Sequence, residues 1–222
     1  AQRTIRETFE RYVPAHVVGR LLADPTRVSL GGTQQMVTIL FADLRGYTAL
    51  AETLSPGHLV DVLNGHLNVA AQAILAHDGI ISQYAGDLVM AIFNAPLPQE
   101  DHALRAACAA LRLRQGMADY HAGLPPELRM DFGVGIASGE AVVGNIGAKE
   151  LLHYTAIGDT VNLAQRLEEI ADGGEVLLTE RTCQLLNDAE VRIEPKGLTQ
   201  VRGRSGQVTI YTLLGLAEGG SR

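Results

Sequence analysis

Four polar residues stand where their types could do chemistry together. Asp43 closes an apolar run, MVTILFAD at 36–43, and is followed by Leu44-Arg45-Gly46-Tyr47-Thr48. Asp87 sits in a Gly-Asp turn 44 residues later. Two carboxylates brought together repel, and each is driven toward its protonated form unless a cation neutralises them. Oxygen-only donors of this kind suit Mg²⁺ or Mn²⁺. Gly46 lets the backbone turn closely, so neighbouring N–H groups can point at phosphate oxygens. Taken singly, each aspartate reads more readily as an ordinary turn residue. Asn162 and Arg166 form a second pair, four apart in a helical stretch and so about 40° apart on one face. An Arg beside an Asn suits an anionic, hydroxyl-bearing ligand. Read alone, Arg166 is a solvated side chain paired with a Glu.

The chain that carries them has 222 residues, 46% hydrophobic and 19% charged, which fits one globular domain with a core. Its net charge of −7 argues against a general nucleic-acid-binding surface. Two cysteines, Cys108 and Cys183, are too few for a disulfide framework and favour a reducing, cytoplasmic setting. Cys108, in an Ala-rich helical stretch, reads as a small core residue. No apolar run approaches the roughly 20 residues a bilayer span needs, and no signal peptide is visible. A start at Ala1 rather than Met suggests a piece of a longer protein, with an upstream regulatory domain and a membrane attachment elsewhere in it. Seven histidines are scattered without metal-ligand spacing and are expected mostly at the surface or beside the site.

The elements that must position the four residues follow from periodicity. Residues 1–34 read as a connector with two short amphipathic pieces and a polar link, SLGGTQQ. Residues 35–216 read as the domain and 217–222 as a disordered tail. The run 36–43 has the composition of a strand buried on both faces. A helix follows Ser55-Pro56, with Leu59, Leu63, Leu67, Ala71 and Ile74 as its expected inner face and Gly79 as its stop. GIISQYAGDLVMAIF reads as a hairpin turning at Ala85-Gly86-Asp87. A second helix spans about 100–120, RMDFGVGIASG is a strand, and AVVGNIG with LLHYT forms a short β excursion. GDTVNLAQRLEEIA is a third helix with Leu163, Leu167 and Ile170 as its core stripe. Two or three strands and one small helix complete the chain. The order βαββαβ is that of a ferredoxin-like α/β (α+β) sandwich with a C-terminal extension. In that topology the first strand and the hairpin are neighbours, so Asp43 and Asp87 could meet at one end of the sheet.

Five segments in order, VTILFADLRGYT, YAGDLVMAIFNAP, GVGIASGEAVVGNIG, YTAIGDTVNLAQRLE and VRGRSGQVTIYTL, resemble the class III adenylyl/guanylyl cyclase catalytic domain. RYVPAHVVGRLL is similar to the lead-in of many bacterial members. The resemblance implies that Asp43 and Asp87, helped by the Leu44 carbonyl, hold two Mg²⁺ or Mn²⁺ ions. These would activate the ribose 3′-OH for attack on the α-phosphorus and grip the β- and γ-phosphates. It implies further phosphate contacts from N–H groups around Arg45, Gly46, Tyr47 and Thr48, and from Arg202 or Arg204. Asn162 would orient the ribose and Arg166 would stabilise the transition state. The implied assembly is a head-to-tail homodimer whose composite sites take aspartates from one chain and Asn/Arg from the other.

Base selection departs from the family pattern. Adenylyl cyclases usually carry Lys where this chain has Gln83, and Asp or Thr where it has Thr155, so Thr155 fits the Thr-bearing adenylyl subgroup. Guanylyl cyclases usually carry Glu at the first position. A Gln amide can donate or accept, serving adenine or guanine. Conversion of ATP to 3′,5′-cyclic AMP is the leading expectation, and guanylyl or relaxed specificity is the alternative. A non-catalytic nucleotide-binding or dimerisation domain is the reading from another class, weighed against by the presence of all four polar residues. A diguanylate cyclase is disfavoured because its GGDEF-type hairpin is replaced by YAGDL.

Overall fold

The computed structural model of the protein describes residues 31–148, 151–186, 190–200 and 207–217. The lead-in segment and the arginines at 202 and 204 lie outside them, as does the tail beyond 217. The apolar run before Asp43 is the centre of the sheet, as its composition demands. It belongs to β1 (Gly31–Leu44), whose residues Val37 to Ala42 are all buried. β1 lies between β3 (Leu88–Phe93) and β4 (Phe132–Ala148), antiparallel to both. β2 (Ile80–Ala85) pairs with β3, giving the ferredoxin-like order β2-β3-β1-β4. The C-terminal extension continues the sheet past β4 through β6 (Val176–Thr179), β8 (Gln207–Leu216) and β7 (Val191–Gln200).

Two boundaries differ from the sequence reading. The polar link is strand from Gly31, and the expected strand and β excursion around 129–147 are one 17-residue strand, β4. The reason is mutual backbone pairing: Gly31–Gln35 lies in register with Asn145–Ala141, and β5 (Leu151–Ile157) pairs with the same stretch of β4 from the other side. The glycines that make this stretch look like a linker are what lets the strands approach. A Cβ on Gly144 would sit 2.2 Å from the carbonyl oxygen of Gly31.

One face of the sheet is covered by α1 (Tyr47–Ala51), α2 (Pro56–Leu75) and α3 (His102–His121), packed on Leu40, Ala42, Val89, Ala91 and Phe93. Ser55 and Pro56 start α2 as expected. Its inner face is turned from the expected one: Val62, His66, Ala70, Ala73 and Ile74 are buried, while Leu59, Leu63, Leu67 and Ala71 flank them half-buried. α2 leans on α3 as well as on the sheet, and Gly65 admits the Tyr120 hydroxyl where a Cβ would clash. His66 is therefore a core residue and not a surface one. Among the described residues no helix is long and apolar enough to cross a membrane.

The other face carries α4 (Asp159–Ile170), set by alternate residues of β4. Gly133, Gly135, Ala137 and Gly139 share one side of that strand. A Cβ on Gly135 would lie 2.2 Å from the Glu168 nitrogen and 2.3 Å from the Ala164 oxygen; one on Gly139 would lie 2.6 Å from Thr160 Oγ1. Helix backbone thus rests directly on strand backbone. Thr160, Ala164, Leu167 and Glu168 are buried by it, Leu163 is half-buried, and Ile170, expected in the stripe, is 44% exposed. α5 (Glu180–Leu185), capped by Thr179, follows β6.

Two consequences can be measured. Gly135→Ala forces α4 off β4 and is expected to cost about 1–3 kcal/mol, the usual penalty of overpacking; urea unfolding at unchanged stability would contradict the backbone contact. His66 hydrogen-bonds the Val62 carbonyl through Nδ1 at 2.8 Å, and its buried Nε2 has no hydrogen-bond partner among the described residues. Burial lowers its pKa, with the His121 charge adding to this and the Val62 bond and Asp131 opposing. The unfolded chain then binds the proton better, so the His66 contribution is complete above about pH 6.5 and is lost as the pH falls below it. His66→Phe, which keeps the edge-on packing against Tyr120, should lose less stability between pH 7.5 and 5.5 than the parent. Equal losses in thermal melts at the two pH values would rule this out.

Candidate active site

β1 and β3 are adjacent and end together, with Ala42 opposite Val89. Asp43 follows directly on one strand, and Asp87 precedes the other in a two-residue turn opened by Gly86 at φ 65°. The topology therefore brings the two carboxylates together. Asp43 is pushed up to about 6, first by burial and then by the negative charge of Asp87, which also lies close enough to hydrogen-bond with it; Arg45 opposes the shift. Two crowded oxygen-only donors fit a divalent cation such as Mg²⁺ or Mn²⁺. The Leu44 side chain is buried, so only its carbonyl could join them. Gly46 turns the chain at φ 88° into α1, whose N-terminus presents the first N–H groups of Tyr47 and Thr48.

Arg45 does not join that set. Its N–H donates to the Asp131 carbonyl at 2.9 Å, and its side chain reaches across the sheet to α4. Nη1 donates to Asp43 Oδ2 at 3.1 Å, Nε to the Ala171 carbonyl at 2.9 Å, and Nη2 to Glu168 Oε1 at 2.7 Å and to the Glu168 carbonyl. The guanidinium lies over Gly133, where a Cβ would meet it at 2.3 Å. Glu168 is a residue that the sequence pattern did not single out. Its side chain is 4% exposed, and burial pushes its carboxyl up to about 7 against the pull of Arg45. The available signal was a glutamate four residues after Ala164, on the buried side of the helix.

Gln83 and Thr155 come together at a cavity of about 290 Å³. A bulge makes this so. Ile81 pairs with Ala91 but Gln83 with Met90, so one extra residue on β2 turns Gln83 to the Met90 face of the sheet. Ser82, the extra residue, donates to the Tyr154 carbonyl at 3.1 Å and ties β2 to β5. Phe41 and Met90 also line the cavity, with Val161 and Gln165 from α4. Gln165 was not foreseen.

Asn162 is exposed and Arg166 half-buried, its Nη1 donating to Glu169 at 2.5 Å. That partner is the solvated pair the residue types allowed, and such a pair is weak. Among the described residues, Arg45 donates to Asp43 and Arg166 donates to Glu169. Helical geometry gives the reason: Glu168 faces Arg45 and Asp43, while Arg166 and Asn162 stand about 200° and 240° around α4 from it.

Residues 32–215 match the family model for the adenylate and guanylate cyclase catalytic domain. The chain is 36% identical over 215 residues to adenylate cyclase 1 of Rhizobium meliloti (strain 1021), covering 94% of this chain and 32% of that protein. It is 32% identical to an adenylate cyclase of Anabaena cylindrica, covering 92% of this chain and 42% of the relative. The chain thus spans less than half the length of either. Among solved structures, the adenylyl cyclase CyaB from P. aeruginosa superposes with a TM-score of 0.78 at 34% identity, covering 83% of this chain and 96% of that one. The guanylyl cyclase Cya2 superposes at 0.77 and 32% identity, covering 86% and 97%. The ordered motifs, the extended ferredoxin-like sheet and these matches agree, and the chain belongs to the class III adenylyl/guanylyl cyclase catalytic domain family.

Proposed function

We propose that the protein is an adenylyl cyclase that converts ATP to 3′,5′-cyclic AMP and pyrophosphate in a homodimer with composite sites. The observation that carries this reading is the meeting of Asp43 and Asp87 at one strand end, with Asp43 pushed up to about 6. Asp43, Asp87 and the Leu44 carbonyl would hold two Mg²⁺ or Mn²⁺ ions. The chemistry such ions supply is acidification of the ribose 3′-OH and neutralisation of the triphosphate. In the reaction the 3′-oxygen loses its proton and bonds to the α-phosphorus as the bond to pyrophosphate breaks. The N–H groups of Gly46, Tyr47 and Thr48 would hold phosphate oxygens, with Arg202 or Arg204 as further cations. Asn162 would fix the ribose, and Arg166 would exchange Glu169 for the α-phosphoryl charge that grows in the transition state.

The composite site is supported by α4 itself. Asn162 and Arg166 face away from their own Asp43, so a second copy is the natural source of the aspartates that they serve. Regulation by an upstream domain is part of the proposal, since the chain covers 32% of its Rhizobium meliloti relative. A cytoplasmic site of action is the corresponding proposal for location.

Guanylyl or relaxed specificity is the second reading, because the Gln83 amide both donates and accepts and the Cya2 likeness is almost as close. Incubation with each nucleoside triphosphate and Mn²⁺, with products identified by mass, should yield cyclic AMP from ATP fastest. Gln83→Lys should sharpen that preference and Gln83→Glu should shift it toward GTP. If both keep the parent ratio of kcat/KM, Gln83 does not touch the base. If no triphosphate gives a cyclic product, the catalytic reading fails.

A further inference from the structure

Glu168 has no role in the reading above, yet it is the most deeply buried charged residue near the site. Arg45 stands between it and Asp43 and donates to both carboxylates. The Glu168 bond, at 2.7 Å, is shorter than the Asp43 bond, at 3.1 Å, and the two side chains are 4% and 28% exposed. Arg45 is also fixed to α4 by the Ala171 and Glu168 carbonyls and is floored by Gly133. These bonds hold the guanidinium beside Asp43. Its charge stays beside Asp43 and repels any cation there, unless a counter-charge offsets it.

We propose that Glu168 is a positioning residue for the metal-binding end of the site: it holds and offsets Arg45, which orients Asp43 by one hydrogen bond and leaves it open to a divalent cation. This rests on Asp43 and Asp87 being metal ligands. Because Glu168 shares α4 with Asn162 and Arg166, the same ion pair also ties Asp43's end of the sheet to the helix that would serve the partner's phosphates. Removing the counter-charge lets the whole guanidinium charge act on Asp43.

The test is Mn²⁺ titration of the nucleotide-free protein at a pH above the value of about 7 to which burial pushes Glu168, so that its carboxylate is charged, followed by the electron paramagnetic resonance signal of the free ion. Glu168→Gln keeps the side-chain volume and an acceptor for Arg45. It should fold, as checked by thermal melting, and weaken Mn²⁺ binding on the order of tenfold. Glu168→Asp should fall closer to the parent than Glu168→Gln. Arg45→Gln combined with Glu168→Gln removes both charges and should restore affinity to the parent's level or beyond. A merely structural Glu168 would give no such order among folded variants. Unchanged affinity in folded Glu168→Gln, or a double variant as weak as the single, overturns the proposal. Asp43→Asn separates the two ideas. If it too leaves Mn²⁺ binding unchanged, the metal-ligand assignment has failed; if it alone abolishes binding, only the role of Glu168 has.

Discussion

Everything on the functional side of the sheet depends on how closely α4 lies against β4. Gly135 allows helix backbone to touch strand backbone, and Gly139 admits Thr160. At that depth Glu168 enters the protein and the end of the helix comes within reach of Arg45. A buried carboxylate needs a partner held in good geometry, or its desolvation would dominate. Arg45 meets that need with hydrogen bonds to the side chain and two helix-end carbonyls, and its remaining reach goes to Asp43. The packing of a helix on glycines and the orientation of an aspartate on the neighbouring strand are therefore one arrangement.

Charge runs through the arrangement as two adjacent carboxylates, Asp87 and Asp43, then Arg45, then Glu168. Burial raises both Asp43 and Glu168, to about 6 and about 7, and the single arginine between them opposes each shift. The Asp43–Asp87 end remains short of positive charge, which suits a cation and an anionic ligand carried by it. The opposite side of α4 presents Asn162 and Arg166 outward. On the proposed reading these are two half-sites that face different directions and are completed by a second copy.

Much of this was legible in the residues. The unbroken apolar run to Asp43 reads directly as the central strand, and β-α-β-β-α-β gives the strand order that joins Asp43 to Asp87. What escaped depended on tertiary contact. Gly31–Gln35 looks like a linker because its glycines serve close strand approach. Ile170 keeps helical spacing with Leu167 but is exposed as the last residue of α4. His66 is drawn inward by α3, which local periodicity cannot register. Gln83 reaches its cavity through a one-residue bulge, and no alternation of residue types marks that slip. Arg45 carries a name that suggests phosphate, yet its backbone and side chain are both committed within the protein.

The claim that the two half-sites of one chain serve different active sites is tested most directly by mixing two inactive variants. Asp43→Ala and Arg166→Ala should each be nearly inactive as homodimers. In the mixed dimer one site has both residues intact and the other has neither. After confirmed subunit exchange, cyclase activity should return to at most about one quarter of the parent's, by counting over a two-fold assembly. Complete absence of activity in the exchanged mixture would mean that Asp43 and Arg166 act within one chain, and the division of the site across α4 would be wrong.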